Sequence, residues 1–305
     1  MLFALLFLLI GVVLPFLTAF LAPGDARVIA GSLPTARVIA GSLPTARVIV
    51  PTPWPTATTA PSAAPTSTSA PLTPTSAPAL LLTRPIPILM YHYVRAVDQA
   101  SDPLGYALSI APEAFEQQMA WLYERGYATV RMDTLARCLR REALCPTRPV
   151  ALTFDDGYED AYSAVLPVLQ RYGFTATFYI VSGFVGQSGY MGWEQLAGLR
   201  DAGMEIGAHS VDHLNLTSLD SAEASRQIAQ SKADIERGLG INVTSFCYPA
   251  GLYDAAIEEQ VRAAGFLSAT TTRWDSDYSD PLALPRRRVA GGTGVDRFVG
   301  IVQGS

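Results

Sequence analysis

The sequence predicts an α/β chain whose parallel sheet is closed, or nearly closed, into a barrel. From Pro85 onward, short apolar β-prone runs alternate with amphipathic stretches, the pattern of repeated β-then-α units. Asp155, Asp156, His209 and His92 fall near the C-terminal ends of those runs, where such barrels keep their chemistry.

The first 22 residues are apolar and uncharged, a length that suits a bilayer span or a secretory h-region. No basic residue precedes them, Phe20-Leu21-Ala22 is a poor cleavage site, and Arg27, Arg37 and Arg47 oppose an N-in orientation. The segment after residue 22 reads as an extracytoplasmic stalk. The expectation is therefore an exported protein, secreted or anchored to the membrane through residues 1–22. A ten-residue unit runs from Ala26 to Thr35, repeats unchanged from Ala36 to Thr45 and begins again at Ala46. That is too few copies for a solenoid. From Pro51 to Pro78 the chain is almost wholly Pro, Thr, Ser and Ala, with too little apolar surface to offset its ordering entropy. Residues 23–79 are expected to be a disordered linker, and residues 80–305 the folded domain.

Within that domain Ile86–Val94 reads as a strand. Pro112–Gly126 reads as a helix, with Phe115, Met119 and Leu122 at helical spacing and a glycine at its end. Strands are expected at Val150–Phe154, Thr175–Val181, Glu205–His209, Ser245–Tyr248 and Phe266–Thr271. Helices are expected at Tyr158–Tyr172, Trp193–Ala202, Ser221–Leu239 and Asp254–Ala264.

Apolar residues make up 49% of the chain, enough for a substantial core. The net charge of −5 comes with no Lys/Arg-rich run beyond Arg286-Arg287-Arg288, which excludes nucleic acid as a partner. Cys138 and Cys145 lie seven apart and Cys247 stands alone. An oxidising compartment would allow the first two to pair, subject to a Cα separation that spacing does not give.

The chain is organised around Thr153-Phe154-Asp155-Asp156-Gly157-Tyr158. Two adjacent carboxylates repel, so a fold keeps both only where a cation or strong donor compensates them. Alone, Asp-Asp-Gly is an ordinary turn, and a single histidine an ordinary cap or surface residue. His209 and His213, two of the three histidines, stand four apart in His209-Ser210-Val211-Asp212-His213. Asp plus two His is a three-ligand set typical of catalytic zinc. One carboxylate suffices as ligand, which frees its neighbour to act as a base.

Thr-Phe-Asp-Asp-Gly at 153–157 and His-Ser-x-x-His at 209–213 resemble the first two motifs of the polysaccharide deacetylases, the NodB-like carbohydrate esterase family four. The resemblance extends over roughly Pro85–Val289. It implies a distorted (β/α)7 barrel and metal-dependent removal of acetyl groups from glycans. It further implies Asp155 as base and Asp156, His209 and His213 as ligands of a divalent metal, zinc first. Phe246-Cys247-Tyr248-Pro249-Ala250-Gly251 resembles the third motif, a wall of the substrate groove, which gives Tyr248, Pro249 and Ala250 as substrate-binding and the Ala250 N–H as an oxyanion donor.

The chain departs from the family in two places. Cys247 stands where many members carry an arginine that orients the base, and Arg286 or Arg288 is expected to supply that guanidinium, with Arg286 also placed at the substrate. No histidine follows His213 to act as the late general acid. Leu89-Met90-Tyr91-His92 resembles the poly-N-acetylglucosamine deacetylase subgroup, where the early histidine takes that role. Trp274, Asp275 and Asp277 resemble the fourth motif only loosely. The implied substrate is an acetylated polysaccharide (peptidoglycan, a chitin-like polymer or poly-N-acetylglucosamine), acted on by a monomer. An O-acetyl esterase on a polysaccharide such as xylan, or an inactive glycan-binding barrel, remain the alternatives.

Overall fold

The structure is a computed structural model and describes residues 86–304. The apolar segment 1–22, the linker 23–79 and the first residues of the expected domain lie outside that range. No described helix is long and apolar enough to cross a membrane.

In chain order the elements begin with β1 (Ile88–Tyr91), β2 (Tyr93–Val94), α1 (Pro103–Leu108), β3 (Ser109–Ile110), α2 (Pro112–Glu124), β4 (Ala128–Thr129), α3 (Met132–Leu139) and β5 (Pro149–Phe154). A π-helical turn, Ala161–Val165, leads into α4 (Leu166–Tyr172) and β6 (Thr177–Ile180). Then come α5 (Trp193–Asp201), β7 (Glu205–Ala208), α6 (Ser221–Leu239), β8 (Ser245–Cys247), α7 (Ala255–Ala263), β9 (Ser268–Thr270), β10 (Arg287–Arg288) and α8 (Val295–Gln303).

The main sheet runs β10-β1-β5-β6-β7-β8-β9, with β4 added beside β5. Its strand pairs are parallel throughout. The segment after β9 brings the two edges together. Leu284 exchanges backbone hydrogen bonds with Ala269 and Thr271, and Val289 N–H then donates to Met90 O. The result is the distorted barrel that the resemblance implied.

Strand parity separates two cores. In β5, Val150, Leu152 and Phe154 face the layer between sheet and helices, whereas Ala151 faces the barrel interior with Ile88, Tyr179 and Cys247. Side chains alternate along a strand, so the inward parity of Ala151 and Thr153 continues to Asp155 at the strand's end. Met132 and Leu135 of α3 pack into the same inner core.

Two expected elements are cut. The run Ile86–Val94 is interrupted at His92, because Val94 N–H turns to the Asp160 carboxylate and Tyr93–Val94 pair with Ser109–Ile110. The helix expected from Tyr158 starts at Ala161 as a π turn. Pro167 has no N–H for the Ser163 carbonyl, and the change of helical register falls just before it. Cys138 and Cys145 are joined in a disulfide with their Cα atoms 5.5 Å apart.

Candidate active site

Asp155 and Asp156 leave the end of β5 in opposite directions. Asp155 N–H still donates to Tyr91 O across the sheet. Asp156 then adopts a φ of 73°, a conformation a non-glycine residue keeps only when its surroundings fix it. Ser210, His213 and Ala250 share that left-handed backbone, at 62°, 54° and 54°. These four residues lie on the loops after β5, β7 and β8, all at one end of the barrel, while the other two non-glycine residues with positive φ among the described residues, Arg141 and Arg148, precede β5.

Those turns bring three ligand atoms together. Asp156 Oδ1 lies 3.4 Å from His209 Nε2 and 3.4 Å from His213 Nε2. The other nitrogen of His209, Nδ1, is 2.7 Å from Cys247 O. A carbonyl only accepts, so Nδ1 carries a proton, and Nε2 is the nitrogen turned toward Asp156. Asp156 Oδ1 is buried and has no hydrogen-bond donor.

An acceptor oxygen facing two imidazole nitrogens at this distance fits a cation between them. Tetrahedral zinc with ligands near 2.0–2.1 Å would itself place them about 3.4 Å apart. The three residues therefore fit a divalent metal. The His213 loop is pinned from α6, where the fully buried Gln227 accepts from Val211 and Asp212 N–H.

Asp155 belongs to a different set of partners. Arg286 Nη1 and Nη2 donate to its two oxygens at 2.6 and 2.7 Å. Arg286 is itself fixed through Nε to Thr271 O and through Nη1 to Thr153 Oγ1. Its Nη2 also approaches Cys247 Sγ at 3.2 Å. Burial pushes the Asp155 carboxyl up, but the Arg286 charge outweighs it and leaves the pKa below the usual carboxylate range. His92 Nε2 stands 4.0 Å from Asp155 Oδ2. Burial lowers the pKa of His92 against the pull of Asp155 and Asp156, so the imidazole is neutral near pH 7.

The structure thus brings together Asp155, Asp156, His92, His209, His213 and Arg286. Of the two candidate guanidiniums it is Arg286 that reaches Asp155, while Arg288 is exposed. Two substrate-binding expectations need correction. Arg286 is 1% exposed and committed to Asp155, so it has no surface to offer a glycan. Tyr248 is fully buried, with its hydroxyl donating to Leu282 O and its ring stacked on Tyr253, which makes its side chain part of the core. Pro249 is buried and Ala250 exposed. At their corner Gly251 N–H donates to Tyr248 O and Leu252 N–H to Pro249 O. The Ala250 N–H has no partner among the described residues. Trp274, Asp275 and Asp277 are exposed, and the two aspartates bond locally to Arg273, to Ser279 and to each other.

Sequence reasoning missed the aromatic wall beside Asp156. Tyr93 and Tyr158 stack with centroids 3.6 Å apart, Tyr190 packs on Tyr158, and the Arg95 guanidinium covers Tyr93 at 3.6 Å. Tyr158 directly follows the Asp-Asp-Gly corner, which was the available signal. Gln227, in mid-helix, gave none.

Residues 145–269 match the profile of the family described as Polysaccharide deacetylase. The chain is 29% identical over 215 residues to the Bacillus subtilis protein YxkH, named as a candidate polysaccharide deacetylase, covering 70% of this chain and 74% of that one. It is 32% identical over 119 residues to the Escherichia coli poly-beta-1,6-N-acetyl-D-glucosamine N-deacetylase, covering 37% of this chain but only 17% of the relative. Among solved structures, the Streptococcus pyogenes deacetylase PplD has a similar fold, with a TM-score of 0.67 at 24% identity, over 72% of this chain and 98% of that one.

Proposed function

We propose that the chain, whose residues 145–269 match the polysaccharide deacetylase profile, is a metal-dependent hydrolase that removes N-acetyl groups from an N-acetylglucosamine-containing polysaccharide and releases acetate. The observation that carries this reading is the division of the two adjacent carboxylates. Asp156 faces His209 and His213, while Asp155 is held apart by Arg286. The E. coli relative's name, which specifies an N-deacetylase of poly-N-acetylglucosamine, supports the N-acetyl class over an O-acetyl ester.

Asp156, His209 and His213 would hold the metal, zinc first, which when bound polarises the acetyl carbonyl and acidifies a water. Asp155, ionised and oriented by Arg286, takes the proton of the attacking water. The unpartnered Ala250 N–H is available to the developing oxyanion. His92 is neutral at rest and lies beside Asp155. It receives that proton and passes it to the departing amine, which leaves as the acetyl C–N bond breaks. The exported, membrane-held location read from residues 1–22 is part of the same proposal, since such polymers lie outside the cytoplasm.

Acetate release from N-acetylglucosamine oligomers and from O-acetylated xylan, before and after chelation and zinc return, tests the reading. The expected result is chelator-sensitive release from the N-acetylated substrate. Release from xylan alone, or none from either, would overturn it.

A further inference from the structure

A cavity of about 220 Å³ opens beside the aromatic wall. Arg95, Tyr106, Ser109, Ala111, Ala114 and Thr293 are among the residues that line it. They come from the turn after β2, from α1 and β3, from the first turn of α2 and from the loop after β10. Strand β10 runs parallel to β1, so that loop lies at the same end of the barrel as Asp155 and His209.

Three kinds of donor converge there. Thr293 is 1% exposed, yet its Oγ1 has no hydrogen-bond partner. The backbone around it is fixed, since Thr293 N–H donates to Ala290 O and Gln118 Nε2 donates to Thr293 O. Helix α2 begins at Ala111 with no side-chain cap and with Pro112 in its first turn. Its free first-turn N–H groups therefore present the positive end of the helix dipole at the cavity. Arg95 donates through Nε to Ser109 Oγ and keeps the rest of its guanidinium. No carboxylate lines the cavity. Nearby in the chain, Glu113 is exposed on the first turn of α2, Asp160 accepts from Val94 N–H, Asp98 accepts from Ala100 and Ser101 N–H, and Asp102 caps α1.

A buried hydroxyl without a partner, a bare helix N-terminus and a guanidinium can all donate, and an anion is the acceptor whose charge suits the three together. The cavity also adjoins the chemistry. Arg95 stacks on Tyr93, and Tyr93 on Tyr158, the residue after the Asp155-Asp156-Gly157 corner. We propose that this cavity is a subsite for an anionic substituent of the glycan, a carboxylate on a sugar next to the one being deacetylated. The assignment rests on the deacetylase reading for its substrate. It predicts that the chain favours a carboxylate-bearing N-acetylated glycan over a neutral one.

The probes are N-acetylmuramic acid and N-acetylglucosamine, which differ by a lactyl carboxylate. Their affinities for the full chain are compared by NMR titration. The expected preference for the acidic sugar is about ten-fold or more, the effect of one charge-assisted hydrogen bond. Arg95→Gln, at an exposed position, should abolish the preference, and the near-isosteric Thr293→Val should reduce it. Equal affinity in the unmodified chain, or a preference untouched by both substitutions, would overturn the proposal. Acetate release is measured on the same preparations. Inactive protein that keeps the preference refutes the deacetylase reading alone, and active protein without it refutes the subsite alone.

Discussion

Arg286 grips both carboxylate oxygens of Asp155 from 131 positions further along the chain, at 2.6 and 2.7 Å, with both side chains out of solvent. A planar fork is what makes two parallel bonds possible, and only arginine has one. The proposed base is therefore aimed from the segment that closes the barrel, not by its neighbours in sequence.

Arg286→Met should leave a buried carboxylate unpaired and cost about 3–5 kcal/mol of stability. In the unmodified chain the folded pKa of Asp155 is depressed. The pair's contribution is therefore present above the unfolded value of about 3.9 and is lost as pH falls through the lower folded value. Urea denaturation at several pH values checks this. Arg286→Lys retains charge without the fork, and should fold but lose about 10²-fold in kcat through misaiming.

Asp156→Ala should abolish metal binding, whereas Asp155→Asn should keep the metal and lose turnover. A ligand contributes to binding, a base only to the transition state. Metal content by mass spectrometry on both purified variants decides it, and stoichiometric metal in Asp156→Ala would sink the ligand assignment.

His92→Ala should lower kcat by about two to four orders of magnitude with metal content unchanged. In the metal-free chain the His92 ring should titrate below the ordinary value of about 6.5, because burial dominates. Asp155→Asn should lower it further by removing the carboxylate that pulls it up. Histidine proton NMR across pH 4–9 (about the range a histidine spans) reads both shifts. A midpoint above 6.5 would contradict the burial argument.

Gly251→Ala should lower both Tm and kcat. At φ 72° an added Cβ would lie 2.5 Å from the Thr272 backbone nitrogen, so the corner has to move and the Ala250 N–H moves with it. Ala250→Gly relieves the adjacent strained backbone and should leave Tm within about 1 kcal/mol equivalent of the parent. Thermal melts together with acetate release separate the two effects.

The central elements were legible in sequence because their side-chain pattern is local. The apolar run before Asp155 is buried on both faces of the sheet, and Ser221–Leu239 forms a helix with the predicted ends, capped by the Asp220 side chain and by Gly240 in left-handed backbone. Short elements such as β3 and β4 escaped notice, since two residues carry no periodicity and exist only through their partners. The cluster of Asp156, His209 and His213 was readable because the three sit in two compact motifs.

The sequence by itself determined the β-then-α order, the carboxylate pair at a strand end and the two histidines that answer it, because each is encoded within a few neighbouring residues. Only the tertiary structure decided which guanidinium serves Asp155, that Tyr248 turns into the core, and that Thr293 and the first turn of α2 meet at Arg95. Those relationships join segments from more than a hundred residues apart or depend on which way one side chain faces, and both are set by barrel closure and packing.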